Sequence, residues 1–133
     1  MRQIEFRGLR TDGKGWIYGD LLHNHWTGGD TFTACAIRYL IGDLYSHPIE
    51  VRPETVGQIS FSQDVFGNAI YQGHIVIDPL TKMISVVKYG FCKKLGFNGW
   101  FLENEHMNYV SALTEQDLEI IGNIHESPEL IKQ

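Results

Sequence analysis

The sequence predicts a mainly β fold: β-rich, built of bent sheets or small SH3-like barrel elements, with short helical turns at the C-terminus. Three observations lead there. Short runs alternate apolar and polar residues with a period of two, the signature of half-buried strands. Gly, Asp, Asn and Pro punctuate these runs at close intervals, and the chain carries 14 glycines among 133 residues. No long segment sustains a helical period. Many short strands leave many edges, which barrels or strongly bent sheets manage best.

The elements follow in order. Residues 3–9 set Ile4 and Phe6 against Gln3, Glu5 and Arg7, a strand with one buried face. Asp12-Gly13 opens a turn, and residues 16–22 (Trp-Ile-Tyr-Gly-Asp-Leu-Leu) return as the second strand of a hairpin. His23 to Trp26 extend it, and Thr27-Gly28-Gly29-Asp30 breaks it. Residues 31–41 form a further strand buried on one side, residues 42–48 a connection, and 49–51 a short extended piece. Pro53-Glu54-Thr55 turns into the organising stretch, residues 56–77, which reads as strand, turn and strand. After a turn at 78–81, residues 83–89 are again a strand. Asn98-Gly99 is a strong hairpin signal, from which Trp100-Phe101-Leu102 departs as a strand. Residues 103–108 are polar loop. Thr114 has the form of a helix N-cap with Asp117 in the first turn, before residues 118–124 become β-like. Ser127-Pro128-Glu129 is a second helix start: cap, proline at the first position, then an acid.

A length of 133 residues suits one domain spanning 1–133, with an N-terminal β part at 1–52 and a C-terminal part at 53–133 as its natural subdivision. The formal net charge is -5. The longest basic run is Lys93-Lys94, so double-stranded nucleic acid and anionic membranes are disfavoured as partners. No apolar run approaches the ~20 residues of a spanning helix, and the N-terminus lacks an apolar signal core; a cytoplasmic location is expected. Cys35 and Cys92 sit far apart inside apolar runs, in no ligand spacing. They read as buried reduced thiols.

Candidate chemistry is sparse. His23 and His25, at i and i+2, share one strand face near Asp20 and Asp30, a donor set suited to zinc or iron. A lone His-x-His without a third spaced ligand is a weak signal, so no metal, cofactor or catalytic residue is assigned and enzymatic activity is left open, leaning against. His47, His74, His106 and His125 read as edge or surface histidines. Cys92 has two lysines beside it, which would favour its thiolate if it were exposed. Glu103 with Glu105, and Asp117 with Glu119, read as solvated acid pairs. No phosphate-binding glycine loop or metalloprotease helix occurs. Trp16, Tyr18, Trp26, Tyr71, Trp100 and Phe101 are either core aromatics or a stacking surface for single-stranded nucleic acid, which would need Arg2, Arg7, Arg10, Lys14, Lys93 and Lys94 to gather beside it.

Four stretches in order resemble one family. Met1-Arg2-Gln3-Ile4-Glu5-Phe6-Arg7 is similar to its opening and Trp16-Ile17-Tyr18-Gly19-Asp20-Leu21 to its Trp-Val-Tyr-Gly-Asp-Leu strand. Thr55-Val56-Gly57-Gln58, continued by Asp64, Gly67-Asn68 and Ile70-Tyr71-Gln72-Gly73-His74-Ile75-Val76, resembles its central motif. Ile120-Ile121-Gly122-Asn123-Ile124-His125-Glu126-Ser127-Pro128-Glu129-Leu130 resembles its C-terminal motif. The family is YopX, of phage and prophage proteins. The resemblance implies a β-rich fold without an assigned activity, and marks Gly19, Asp20, Gly57, Gln58, Tyr71, Gly73, Gly122, Asn123 and Pro128 as structural signature positions. Where the family repeats Glu-Gly-Asp, this chain has Gln72-Gly73-His74, so an acidic pair with a chemical role would be lost. The expected function is that of a non-enzymatic phage or prophage accessory protein acting through protein–protein contacts: self-association as a homo-oligomer, or a phage or host protein as partner. A single-stranded nucleic-acid-binding module is the alternative, and a small metal-dependent enzyme using His23 and His25 a distant one.

Overall fold

The computed structural model describes residues 5–28, 31–114 and 116–132; the side chains of 23–28, 31–34 and 132 fall outside that description. The chain is mainly β, as predicted. It divides into two compact units, Met1–Ile59 and Ser60–Gln133.

In the first unit, β1 (Phe6–Leu9) and β2 (Trp16–Gly28) form the hairpin expected across Asp12-Gly13, with Phe6 opposite Gly19 and Leu9 opposite Trp16. The Asp12 carboxylate accepts the Lys14 N–H at 3.0 Å, closing the turn. β3 (Thr31–Arg38) pairs with β2 on its other side, and β6 (Ile49–Glu50) pairs with β3. Between them, β4 (Leu40–Ile41) and β5 (Leu44–Tyr45) make a separate two-stranded ribbon. A 3-10 turn at Pro53–Thr55 leads into β7 (Gly57–Gln63). The Thr55 hydroxyl donates to Arg52 O and accepts the Leu9 N–H, which ties the turn to β1. β7 runs through the division between the units; its first half pairs with β1. Within this unit the sheet order is β6-β3-β2-β1-β7; β8 (Ala69–Tyr71) belongs to the second unit. Ile17, Cys35, Ile37 and Val51 form the core of this unit, with Phe6, Leu21, Ile49 and Val56 against it. Each buried aliphatic side chain contributes about 1.5–3 kcal/mol. Gly8 is required here, since a Cβ would lie 2.8 Å from the Val51 Cβ.

In the second unit, β9 (His74–Ile77), β10 (Ile84–Cys92), β11 (Phe97–Asn104), β12 (Tyr109–Ala112) and β13 (Glu119–Asn123) form one antiparallel sheet in the order β12-β11-β10-β9-β13. The two-residue period builds its core. Val87 faces Leu102 across the β10–β11 ladder, and Val76 lies between Ser85 and Ile120. Val76, Val87 and Leu102 therefore share one face with Leu113, and Ile70 and Leu118 complete the cluster. A 3-10 turn at Pro128–Lys132 follows β13, as Ser127-Pro128 predicts, with the Leu130 N–H on Ser127 O.

Two expectations are corrected. Asn98 and Gly99 are not a turn; they lie inside β11, opposite Phe91 and Gly90. The reversal is at residues 93–96, where Gly96 takes φ +72 and donates to Cys92 O at 2.8 Å. Pairing Phe97 with Cys92 extends the ladder by two aromatic positions, and that gain outweighs the local turn propensity of Asn-Gly. Thr114 caps no helix. Its hydroxyl donates to the Gln116 side chain at 2.9 Å, and the chain continues to Leu118, buried in the core, and to Ile120 in β13. Sheet pairing and core burial override the cap signal there.

Candidate functional sites

Five signature positions that are far apart in sequence meet in the second unit. Gly73 turns the chain between β8 and β9 at φ +94, a conformation that favours glycine. Its N–H donates to Val87 O at 2.8 Å, and its carbonyl accepts the Ile124 N–H at 3.0 Å. The Tyr71 N–H donates to His74 Nδ1 at 2.9 Å, which leaves that nitrogen as the acceptor. His74 is buried in β9, a strand flanked by β10 and β13. It is therefore neither an edge nor a surface histidine, and the two-sided pairing of its strand is the reason. Asn123 caps the next turn: its Oδ1 accepts the N–H groups of His125 and Glu126, and its Nδ2 donates to Glu126. Gly122 is pressed against the closing 3-10 turn that Pro128 begins, where a Cβ would meet Leu130 at 2.9 Å and Ser127 at 3.0 Å. The Tyr71–His74 bond and the Asn123 Oδ1 bonds at this junction engage backbone N–H groups.

The remaining signature residues lie in the first unit. Gly57 pairs with Arg7, and Gln58 with Phe6. Gly19 has φ +156 and passes so close to β3 that a Cβ would lie 2.2 Å from Arg38 O. Asp20 is the cross-strand partner of Arg38.

On the other face of the second sheet, Val86, Lys88, Glu103, Glu105, His106 and Ile131 line a cavity of about 480 Å³. Glu103 and Glu105 are not a free acid pair here. The Lys88 ammonium lies 2.5 Å from Glu103 and 3.6 Å from Glu105. Partial burial pulls the Lys88 pKa down, but the Glu103 hydrogen bond and both carboxylate charges outweigh it and hold the group above the usual lysine range. A lysine held protonated serves as an anchor, not as a nucleophile.

Cys35 and Cys92 are both buried and outside any disulfide, as expected, and burial pushes the Cys35 thiol up. The His23 and His25 side chains lie outside the described residues; among the described residues no three His, Cys, Asp or Glu side chains stand together as metal ligands.

The aromatic set separates. Tyr71 and Phe101 are core residues. Trp16 lies beneath the Arg7 guanidinium at 4.0 Å, while Trp26 falls outside the described side chains. Trp100 instead packs on Tyr89 with ring centroids 4.8 Å apart. Tyr89 and Phe91 are exposed on the same face of β10, close to the Lys93-Lys94 turn. Sequence reasoning passed over this pair, although the Tyr-Gly-Phe alternation carries it.

The exposed apolar feature of the first unit is the β4–β5 ribbon. Leu40 is 57%, Ile41 59% and Leu44 75% exposed, with Tyr39 and Tyr45 also open. Gly42 at φ +62 supplies the positive φ that a two-residue hairpin turn requires. Ser46 ties the base to Tyr39 through both its N–H and its hydroxyl. Part of this segment was expected to be a plain connection; the missed signal is Leu-Ile and Leu-Tyr around Gly42-Asp43.

The sheet orders and signature junction define a mainly β protein whose repeated residues shape backbone. The family model described as YopX protein matches residues 5–132. The chain therefore belongs to the YopX family. Its fold is similar to the crystal structure of protein EF1440 from Enterococcus faecalis, with a TM-score of 0.55 and 18% identity over 98% of this chain and 99% of that one. At that identity the likeness is one of fold. No curated protein matches the sequence.

Proposed function

We propose that this chain is a non-enzymatic accessory protein of phage or prophage origin that works by self-association through the β4–β5 ribbon. The observation that carries the reading is the ribbon itself: Leu40, Ile41 and Leu44 stand more than half exposed on a two-stranded hairpin. Contiguous exposed apolar surface of this kind marks contact sites. Among the described residues β4 and β5 pair only with each other, so each keeps an outer edge there. Such edges add readily to a second copy, and a twofold contact brings the same edge from both chains. The phage setting rests on the family resemblance of the signature stretches. Leu44→Asp tests the contact: sedimentation velocity should show oligomer for the parent and monomer for the variant. A parent that is monomeric at tens of micromolar overturns the reading.

A second reading has its own observation. Tyr89, Phe91 and Trp100 form an aromatic face next to Lys93 and Lys94, the pairing of stacking and charge that single-stranded nucleic-acid binders use. Phe91→Ala should then weaken binding to a labelled oligothymidylate by about 1–3 kcal/mol. Absence of any binding at low salt removes this reading.

A further inference from the structure

A second pocket in the first unit combines groups of both charge signs with aromatic walls. It has a volume of about 280 Å³ and is lined by residues including Glu5, Tyr18, Asp20, Arg38, Tyr39 and Tyr45. Asp20 and Arg38 face each other directly across the β2–β3 ladder, a placement in which opposite charges ordinarily engage. Here they form no ion pair. The Arg38 guanidinium instead lies over the Tyr45 ring, with Cζ 3.8 Å from the centroid, and its buried Nε donates to no acceptor among the described residues. Among the described residues, the Asp20 and Glu5 carboxylates also make no side-chain hydrogen bond or ion pair. Gly19 brings the β2 backbone against Arg38 O, which fixes the pocket between the two strands. Three charged groups thus border one small space with their bonding capacity unused, and a tyrosine ring holds the cation in place.

From this geometry we infer a binding site for a free apolar α-amino acid. The lining presents two carboxylates and one guanidinium. A ligand that meets both signs presents an ammonium to Asp20 and Glu5, and a carboxylate to Arg38. The guanidinium fork suits a carboxylate. Tyrosine faces favour an ammonium beside them, and Leu40, which also lines the pocket, offers apolar contact to the ligand side chain. The volume falls at the lower edge of small-molecule pockets, which fits a single amino acid better than a peptide or nucleotide. The site shares Tyr39, Leu40 and Tyr45 with the ribbon and is tested separately from self-association. Leu44 does not line it, so the Leu44→Asp protein can be used if assembly covers the ribbon.

The test is calorimetric titration of the full chain with L-leucine and L-phenylalanine, each compared with isopentylamine, which keeps the ammonium but lacks the carboxylate, and with N-acetyl-leucine, which lacks the ammonium. The expected result is saturable binding of at least one amino acid and no detectable binding of either truncated probe. Asp20→Asn and Arg38→Gln should each weaken binding at least tenfold while thermal midpoints stay close to the parent's. Tyr45→Leu, which removes the ring and keeps the charges, should weaken it less. The inference is overturned if neither amino acid binds at millimolar concentration in the parent and the Leu44→Asp protein alike. It is equally overturned if isopentylamine binds as tightly as leucine, or if binding survives Asp20→Asn and Arg38→Gln in folded protein.

Discussion

At the scale of single residues, glycines and turn acids do the specifying. Gly19 admits no side chain, because a Cβ would sit 2.2 Å from a backbone oxygen that cannot step aside. Gly19→Ala should lower stability by about 3 kcal/mol, the upper part of the overpacking range, measured as a shift in the urea midpoint. Asp64 works differently. One of its oxygens accepts the N–H groups of Phe66 and Asn68, and the other accepts the Asn68 amide and the Ile120 N–H. Burial pushes its carboxyl up, but these four donors outweigh burial and hold it below the usual range. A group with a lowered folded pKa contributes stability that is complete above its unfolded value, near pH 4 (about 3.9 for Asp), and is lost as pH falls through the folded value. Thermal midpoints of parent and Asp64→Asn should therefore differ at neutral pH and converge below about pH 4. A constant gap down to acid would contradict this role. The Asp64-Val65-Phe66-Gly67-Asn68 turn was legible in the sequence because its chemistry is local. His74 was not: its burial follows from β13 lying alongside β9, a pairing between segments some fifty residues apart.

At the scale of elements, the strands were legible wherever one face is buried, since alternation then follows from the pleat. The β1–β2 hairpin, the 3-10 turn at Pro53–Thr55 and the turn at Pro128 were all read from local residues. The β10–β11 turn was not, because Asn98-Gly99 carries the stronger local signal and the ladder beyond it decides the register. Gly96 rather than Gly99 is the turn glycine. Gly96→Ala should cost about 1 kcal/mol, the penalty of a left-handed residue, measured by chemical denaturation; no loss would contradict the assigned turn. The β4–β5 ribbon was hidden for the opposite reason: its leucines and isoleucine point to solvent, so apolarity there does not report a core. The pocket at Asp20 and Arg38 was equally invisible, since β2–β3 register alone makes the two residues neighbours.

At the scale of the whole molecule, the sequence signals led to a mainly β family member, and the match over residues 5–132 places it in the YopX family. Both cysteines are buried. The native protein should react with Ellman's reagent only after unfolding, and rapid native modification of either thiol would contradict the packing. The larger question is what the chain meets. Self-association places the β4–β5 ribbon between copies, and the most direct measurement is the native mass of the parent beside Leu44→Asp over a micromolar concentration series. The expected result is a defined oligomer for the parent and a folded monomer for the variant. A parent that stays monomeric throughout, or a variant that assembles as the parent does, would contradict it.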